Sequence, residues 1–265
     1  MGDTDAATRL LCVLGHPVSH SLSPLLHSAA INAAGLNAVY LAFDVTPAAF
    51  ATAMDGLIAI GLMGANVTIP HKAAALAYAD DATEEALFIG AANTLFWRDQ
   101  QLWADNTDAV GLMGVLRAQC AVQEGDDVVI YGSGGAARAA AVAFGRLAAA
   151  VRVRARRPAA ARELQELARE AGGSPPTADT PRIVVNATPL GRQGERLPAD
   201  LMQQGRGQVA LDLNYGPPSP FLTQARAAGA IAVDGTGMLV GQAEVAFERW
   251  TGMPPAEGVM AAVVR

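Results

Sequence analysis

Short apolar runs alternate with stretches of helical periodicity along nearly the whole chain. Leu10–Leu14, Val39–Asp44 and Gly64–Thr68 have the length and composition of strands. Helical patterns follow the first two, at Leu25–Ala34 and Ala48–Ile60. Asn93–Trp97 and Gln101–Ala104, parted by Arg98-Asp99-Gln100, predict a small hairpin. After Asn106-Thr107-Asp108 the alternation restarts. It gives helix Val110–Gln119, strand Val128–Tyr131, helix Ala136–Leu147, strand Val151–Ala155, helix Ala159–Ala171 and strand Ile183–Asn186. Val209–Leu213 and Ile231–Val233 predict further strands, and Leu239–Trp250 and Ala256–Val264 predict helices. The alanine-rich stretches Ala73–Ala77, Ala136–Ala143, Ala148–Ala150 and Ala159–Ala161 read as helix surface or close-packed helix. Such alternation predicts an α/β protein with a mostly parallel sheet and crossover helices. The restart divides the chain into an α/β domain over residues 1–108 and a doubly wound domain over 109–238, with the helices of 239–265 packing back on the first.

Composition narrows the classes. Of 265 residues 51% are hydrophobic and 17% charged, which suits a soluble globular protein with material for a buried core. No apolar run approaches the roughly 20 residues of a membrane-spanning helix. Met1–Arg9 lacks the basic-then-apolar run of a secretory signal, so a cytoplasmic location is expected. A net charge of −6 speaks against nucleic acid as a partner. Cys12 and Cys120 lie in apolar runs and read as buried free thiols. The histidines His16, His20, His27 and His71 lack metal-ligand spacing, so no metal is expected.

The strand at Val128–Tyr131 runs into Gly132-Ser133-Gly134-Gly135-Ala136-Ala137, the G-x-G-x-x-A form of the dinucleotide fingerprint. Gly132 permits the tight turn, Gly134 lets backbone N–H groups approach a pyrophosphate, and Ala137 allows close packing of helix on strand. Many tight turns hold such glycines, but here a strand precedes them and a helix follows. NAD sites place an acidic residue about 20 residues later, on the ribose 2′-hydroxyl. This chain has Arg152-Val153-Arg154-Ala155-Arg156-Arg157 there, with no carboxylate before Glu163. Guanidinium groups suit a 2′-phosphate, which points to NADP.

Polar clusters mark the strand ends of the first domain: His20-Ser21-Leu22-Ser23-Pro24, Asn66 to Lys72, Asn93-Thr94, and Asp105 to Asp108. Ligands of open α/β sheets bind outside the carboxyl ends of strands. The clusters therefore converge on one region rich in hydroxyls and amides, with an ammonium at Lys72 and carboxylates at Asp105 and Asp108, which suits a polyhydroxylated acid. Each also has a plainer reading: Ser21 or Ser23 as a helix cap, Lys72 as a solvated surface lysine, Asp108 as a cap of the helix at Val110.

Gly15-His-Pro-Val-Ser-His-Ser-Leu-Ser-Pro24, Asn66-Val-Thr-Ile-Pro-His-Lys72, Gly90-Ala-Ala-Asn93-Thr94 and Asp105-Asn-Thr-Asp108 resemble signature segments of the shikimate dehydrogenases. So do Asn186-Ala-Thr188-Pro, Asp212-Leu-Asn-Tyr215-Gly-Pro and Asp234-Gly-Thr-Gly-Met-Leu-Val-Gly-Gln242. They span nearly the whole chain in the family's order. The resemblance implies a substrate domain, a Rossmann-type NADP-binding domain and a cleft between them. It implies NADPH-dependent reduction of 3-dehydroshikimate to shikimate, by a monomer or homodimer. Ser21 and Ser23 would hold the substrate carboxylate, with Tyr215 nearby; Thr68, Asn93 and Gln242 would read the ring hydroxyls. Lys72 and Asp108 would form the catalytic pair. On the cofactor side it implies Gly132, Ser133, Gly134, Gly135, Ala136, Arg156, Thr188, Leu213 and Gly235.

The chain departs from the family pattern at several places. His16 stands for a usual Asn, Ser133 for a usual Ala, Ala155-Arg156-Arg157 for Asn-Arg-Thr, Ala160 for a basic residue, and Arg192 for a common Met. The rival expectations are a relative preferring quinate or an amino analogue of shikimate, and a nucleotide-sensing binding protein without turnover. Ser23 favours shikimate, since quinate-using relatives often resemble this motif with Thr there. Lys72 and Asp108 speak against loss of catalysis.

Overall fold

The apolar run at the start of the chain is buried from Leu11 to Gly15 because strands flank it on both sides. β1 (Arg9–Gly15) lies between β2 (Ala38–Asp44) and β3 (Leu62–Val67) and is parallel to both. The structure, a computed structural model, describes residues 4–191, 195–217 and 219–264. Its chain divides into two compact units, one of residues 1–107 and 240–265, the other Asp108–Leu239.

The sheet of the first unit has the order β2-β1-β3-β5-β6-β4. It is mixed, where the alternation predicts a mostly parallel one. β5 (Thr94–Arg98) and β6 (Gln101–Asp105) are joined by Asp99-Gln100, with φ of 51° and 64° at these two residues. A two-residue turn with both φ positive can join only antiparallel strands, so one strand of the hairpin must oppose β3, and it is β5. β4 (Asp81–Ala82) pairs parallel to β6. The 3-10 turn Pro47–Ala49 leads into α2 (Phe50–Ala59), which follows α1 (Ser23–Ala33) in the chain. Between β3 and β5 stand α3 (Lys72–Tyr78), anticipated only as an alanine-rich stretch, and α4 (Glu84–Ile89), which periodicity alone misses. α4 is short, yet its ends carry clear signals: Thr83 caps the Ala86 N–H at 3.2 Å, Glu84 and Glu85 occupy the first turn, and Gly90 closes it with φ 71°.

The second unit holds five parallel strands in the order β11-β10-β9-β7-β8. They are β7 (Asp127–Tyr131), β8 (Ala150–Arg154), β9 (Ile183–Asn186), β10 (Val209–Asp212) and β11 (Ile231–Val233). Alternate residues serve opposite faces. Val128, Ile130, Val151 and Val153 pack with α5 (Asp108–Ala118), α6 (Gly135–Arg146) and α7 (Pro158–Glu170). Val129, Val184 and Ala210 pack with α8 (Pro220–Ala227). Helices on both faces make the unit doubly wound. α8 escapes the sequence pattern although Ser219 caps the Leu222 N–H at 3.3 Å and Pro220 starts it. Ala148–Ala150 is not helical: Ala148 has φ 55° in a turn, and Ala150 begins β8. Cys12 and Cys120 are buried free thiols, pushed up to about 12 and about 11 by burial.

α9 (Thr236–Thr251) starts in the second unit and belongs to the first from Val240 onward; α10 (Val259–Ala262) follows. Trp250 lies directly on β3. A Cβ on Gly64 would stand 2.3 Å from its Cδ1, and its indole N–H donates to the Leu95 carbonyl at 2.9 Å. Beside it His27 is fully buried, stacked on Tyr40 at 4.4 Å and tilted against Trp250 at 5.0 Å. Burial pulls the His27 pKa from 6.5 down to about 3, opposed by the neighbouring Asn66 side chain. The unfolded chain therefore binds one more proton than the folded one between these two values. This contribution to stability is intact above pH 6.5 and declines by about 1.4 kcal/mol per pH unit below it, until the folded-state pKa is reached. Denaturant unfolding of wild type and His27→Phe from pH 7 to pH 4 should show a shallower acid decline in the variant; identical slopes would refute a neutral buried imidazole.

Candidate active site

Strand register gathers the polar clusters of the first unit at one sheet edge. Gly15 stands opposite Asp44, Leu14 opposite Val67, Asn66 opposite Thr94, and Thr94 opposite Asp105. The carboxyl ends of β1, β3 and β6 thus share an edge with the amino end of the antiparallel β5. That reversal is what brings Asn93 to the same edge as Thr68.

Asn93 is the hub. Its side-chain oxygen accepts the Thr107 backbone N–H at 2.8 Å and the Thr94 hydroxyl at 3.1 Å. Its amide nitrogen donates to Thr107 Oγ1 at 2.9 Å and to Gln242 Oε1 at 3.2 Å. A backbone N–H can only donate, so the orientation of the Asn93 amide is set. Gln242, from α9, consequently turns its oxygen to Asn93 and its nitrogen away. Below this layer Tyr40 donates to Asn66 Oδ1 at 2.7 Å, and Asn66 donates to the Asn93 carbonyl and to Thr94 Oγ1, each at 3.2 Å.

The turn before α3 places Thr68 and Lys72. His71 N–H closes it onto the Thr68 carbonyl at 2.8 Å, and the His71 ring, stacked on Phe50, bonds the Val45 carbonyl at 2.6 Å. Gly15 is required here, because a Cβ would lie 2.4 Å from Thr68 Cγ2. Lys72 is half-buried, and its carbonyl accepts the Ala92 N–H at 2.9 Å, beside Asn93. Ser21 and Ser23 flank the start of α1. Ser23 is its first residue and Leu22 its N-cap, with no side-chain cap, so the capping reading of Ser23 is not realised. Ser21 Oγ accepts the Ser23 N–H at 3.3 Å instead. His16, in the place of the usual Asn, bonds Asp44 at 2.5 Å and holds that carboxyl below its ordinary range. Ser21, Ser23, Thr68, Lys72, Asn93 and Gln242 all belong to the first unit, whereas Asp108 and Tyr215 belong to the second. Asp108 is buried as the first residue of α5, directly after Thr107 in the chain.

In the second unit the strand order reverses between β7 and β9, the switch point where open sheets bind ligands. Gly132, with φ 129°, lies there against the chain after β9: a Cβ would be 2.7 Å from the Ala187 carbonyl oxygen. Gly134 caps α6, and its missing Cβ leaves open space over the helix N-terminus. That cradle fits a pyrophosphate, which the N–H groups of Gly135 and Ala136, beside Ser133, could hold. Arg154, Arg156 and Arg157 are exposed at the end of β8. Arg154 pairs with Asp200 at 3.3 Å while its carbonyl accepts the Gly132 N–H. Arg156 and Arg157 pair with no described residue, and Ala160 lies in the first turn of α7. The second unit thus has the cradle and cations NADP needs. Arg192 lies outside the described residues.

A family model for the shikimate dehydrogenase substrate binding domain matches residues 13–95, and one for the shikimate 5′-dehydrogenase C-terminal domain matches residues 235–265. The NADP(+) shikimate dehydrogenase of Citrifermentans bemidjiense is 42% identical over 270 residues, spanning 96% of this chain and 93% of that protein. The chain belongs to the shikimate dehydrogenase family. Among solved shikimate dehydrogenases, that of Thermus thermophilus in complex with NADP(H) and shikimate is 35% identical with a TM-score of 0.83, covering 97% of this chain and 98% of that one. The ligand-free 5-ketofructose reductase of a Gluconobacter species is 30% identical with a TM-score of 0.81, covering 98% and 99%. The shikimate dehydrogenase fold therefore also serves an enzyme with a differently named substrate, and the side chains at the sheet edge must decide.

Sequence reasoning did not single out Asn66, Thr107, Asn186 or Asp212, although each lies in a quoted motif. Their signal was available in principle. A buried amide or carboxylate beside a strand end needs partners, and the groups that need them are those that orient their neighbours.

Proposed function

We propose that this chain reduces 3-dehydroshikimate to shikimate with NADPH, reversibly, in the cytoplasmic biosynthesis of aromatic amino acids. The observation that carries the reading is the sheet-edge array of Asn93, Thr107 and Gln242 beside Lys72, with paired serines at the start of α1. The array is neutral, directional and suited to ring hydroxyls. The serines stand at the positive end of an 11-residue helix, which suits a carboxylate. 5-Ketofructose has no carboxylate for them to hold.

Bound NADPH supplies the hydride; Gly132 to Ala136, Arg156, Thr188, Leu213 and Gly235 are the residues that would hold it. The chain must deliver a proton to the ketone oxygen and stabilise the charge that develops there. Lys72 does both: its ammonium donates the proton as the alcohol forms, and Asp108 is the carboxylate of the catalytic pair. Ser21 and Ser23, with Tyr215, orient the acid group, and Thr68, Asn93 and Gln242 the ring hydroxyls.

Following NADPH absorbance with 3-dehydroshikimate, and with 5-ketofructose and quinate (in reverse) as competitors, tests the assignment directly. Faster turnover of either competitor would displace it. In the same assay Lys72→Ala should lower kcat by on the order of 100-fold while changing KM much less. Near-normal kcat in a folded variant would make Lys72 a surface lysine.

Cofactor choice is a separate matter. Asp200 engages Arg154, which leaves Arg156 as the main ligand of the 2′-phosphate, helped by Arg157 in place of the basic residue missing at Ala160. A charge-assisted contact contributes about 1.5–3 kcal/mol, so Arg156→Ala should weaken NADPH binding roughly 10- to 150-fold and leave NADH binding unchanged. Titration of both reduced cofactors checks this; an equal loss for both would reject the role.

A further inference from the structure

The candidate residues Thr188, Leu213 and Gly235 come from three loops, after β9, β10 and β11, and one buried carboxylate joins those loops. Asp212 is 1% exposed and accepts from Asn186 Nδ2 at 3.1 Å, Asn214 N at 3.0 Å, Asn214 Nδ2 at 2.9 Å and Ser219 Oγ at 2.6 Å. Asn186, also buried, faces Thr188 with its oxygen, accepting the Thr188 N–H at 3.1 Å and its hydroxyl at 2.7 Å. The Thr188 N–H can only donate, so the Asn186 amide is oriented with its nitrogen toward Asp212. Asn214 Nδ2 also donates to the Thr188 carbonyl at 2.9 Å, and the Asn214 carbonyl accepts the Gly235 N–H at 2.9 Å. Gly235 sits so close to the Leu213 carbonyl that a Cβ would be 2.4 Å from its oxygen.

This wall lies on one side of the glycine turn only. β8, with its arginines, borders β7 on one flank, while β9, β10 and β11 continue on the other. A dinucleotide with its pyrophosphate at the turn and its 2′-phosphate at β8 has its nicotinamide half left for the side of β9 to β11. We propose that Asp212, acting through Asn186 and Asn214, is a positioning residue for the nicotinamide half of the cofactor. The proposal rests on the NADPH reading above. Three of the four donors, the N–H groups of Asn186 and Asn214, meet Oδ1, and the Ser219 hydroxyl meets Oδ2. An asparagine could keep its oxygen on those N–H groups and turn its N–H₂ to the hydroxyl, which can also accept, so only removal of the acceptor releases the network.

The test compares two ligands. NADPH spans both halves of the site, whereas adenosine 2′,5′-bisphosphate carries only the half beside β8. Calorimetric titration of wild type, Asp212→Ala and Asn214→Ala should show NADPH binding weakened at least about 10-fold in both variants. The bisphosphate should bind all three proteins equally. Unchanged NADPH affinity in both variants, or parallel loss of both ligands, would overturn the positioning role. Should Asp212→Ala fail to fold, Asn214→Ala, altering a half-buried side chain, decides alone. A wild type that bound neither ligand would instead remove the NADPH reading itself.

Discussion

The bond from the Thr107 backbone N–H to the Asn93 side-chain oxygen fixes the candidate substrate edge. Because the donor cannot be reversed, the carboxamide has one orientation, and that orientation passes to Gln242 and Thr94. Asn93 therefore offers a defined pattern of donors and acceptors, where a solvent-exposed amide would be free to turn. The bond exists because β5 is antiparallel to its neighbours, which places the residue just before one hairpin strand beside the residues just after the other. A fully parallel sheet would have carried Asn93 to the opposite edge.

The same edge depends on α9 staying in place, since Gln242 comes from that helix. Two contacts secure it. Trp250 fills the space that Gly64 leaves on β3 and donates to the Leu95 carbonyl, and Arg249 bonds Asp105 at 2.8 Å. Asp105 is itself buried and accepts from Thr83 Oγ1 at 2.6 Å and from the Asn106 N–H at 2.8 Å, just ahead of Thr107. Packing on one side of β3 and charge at the end of β6 thus hold a helix that is remote in sequence.

Most strands were legible because their burial leaves a periodic trace: Ile183–Asn186 and Ile231–Val233 coincide with β9 and β11. Helices of six to eight residues, such as α4 and α8, were not. Too few turns separate their faces for periodicity to show, and their marks lay at the ends alone, in residues such as Thr83, Gly90, Ser219 and Pro220. Ala148–Ala150 misled because alanine serves equally in a helix and in a tight approach of strand to helix. The side chains proposed to meet ligand were visible as polar interruptions of apolar runs. Those that orient them were less so, because Asn66 and Asn186 look in sequence like any other polar residue near a strand end. Their partners, such as Tyr40 and Asp212, are 26 residues away in the chain.

The two units meet one requirement, fixed polar groups at strand ends, with different chemistry. The first uses amides and hydroxyls, each able to donate and accept. The second uses a buried carboxylate, whose pKa burial raises against the hydrogen bonds it accepts. The difference follows from what each is proposed to face. A ring hydroxyl can donate or accept, so neutral groups of both kinds can answer it, while an unpaired carboxylate there would repel an anionic substrate; Asp105, at that edge, is bonded to Arg249. Phosphates would be repelled likewise, but Asp212 ends β10, which β9 separates from β7 and its glycine turn. It lies beneath the loops after β9 and β10, its oxygens taken up by Asn186, Asn214 and Ser219, so its charge is satisfied internally and only the geometry it enforces reaches the surface. A carboxylate can therefore serve a site for anions, provided that donors of the protein surround it and neutral residues make the contact.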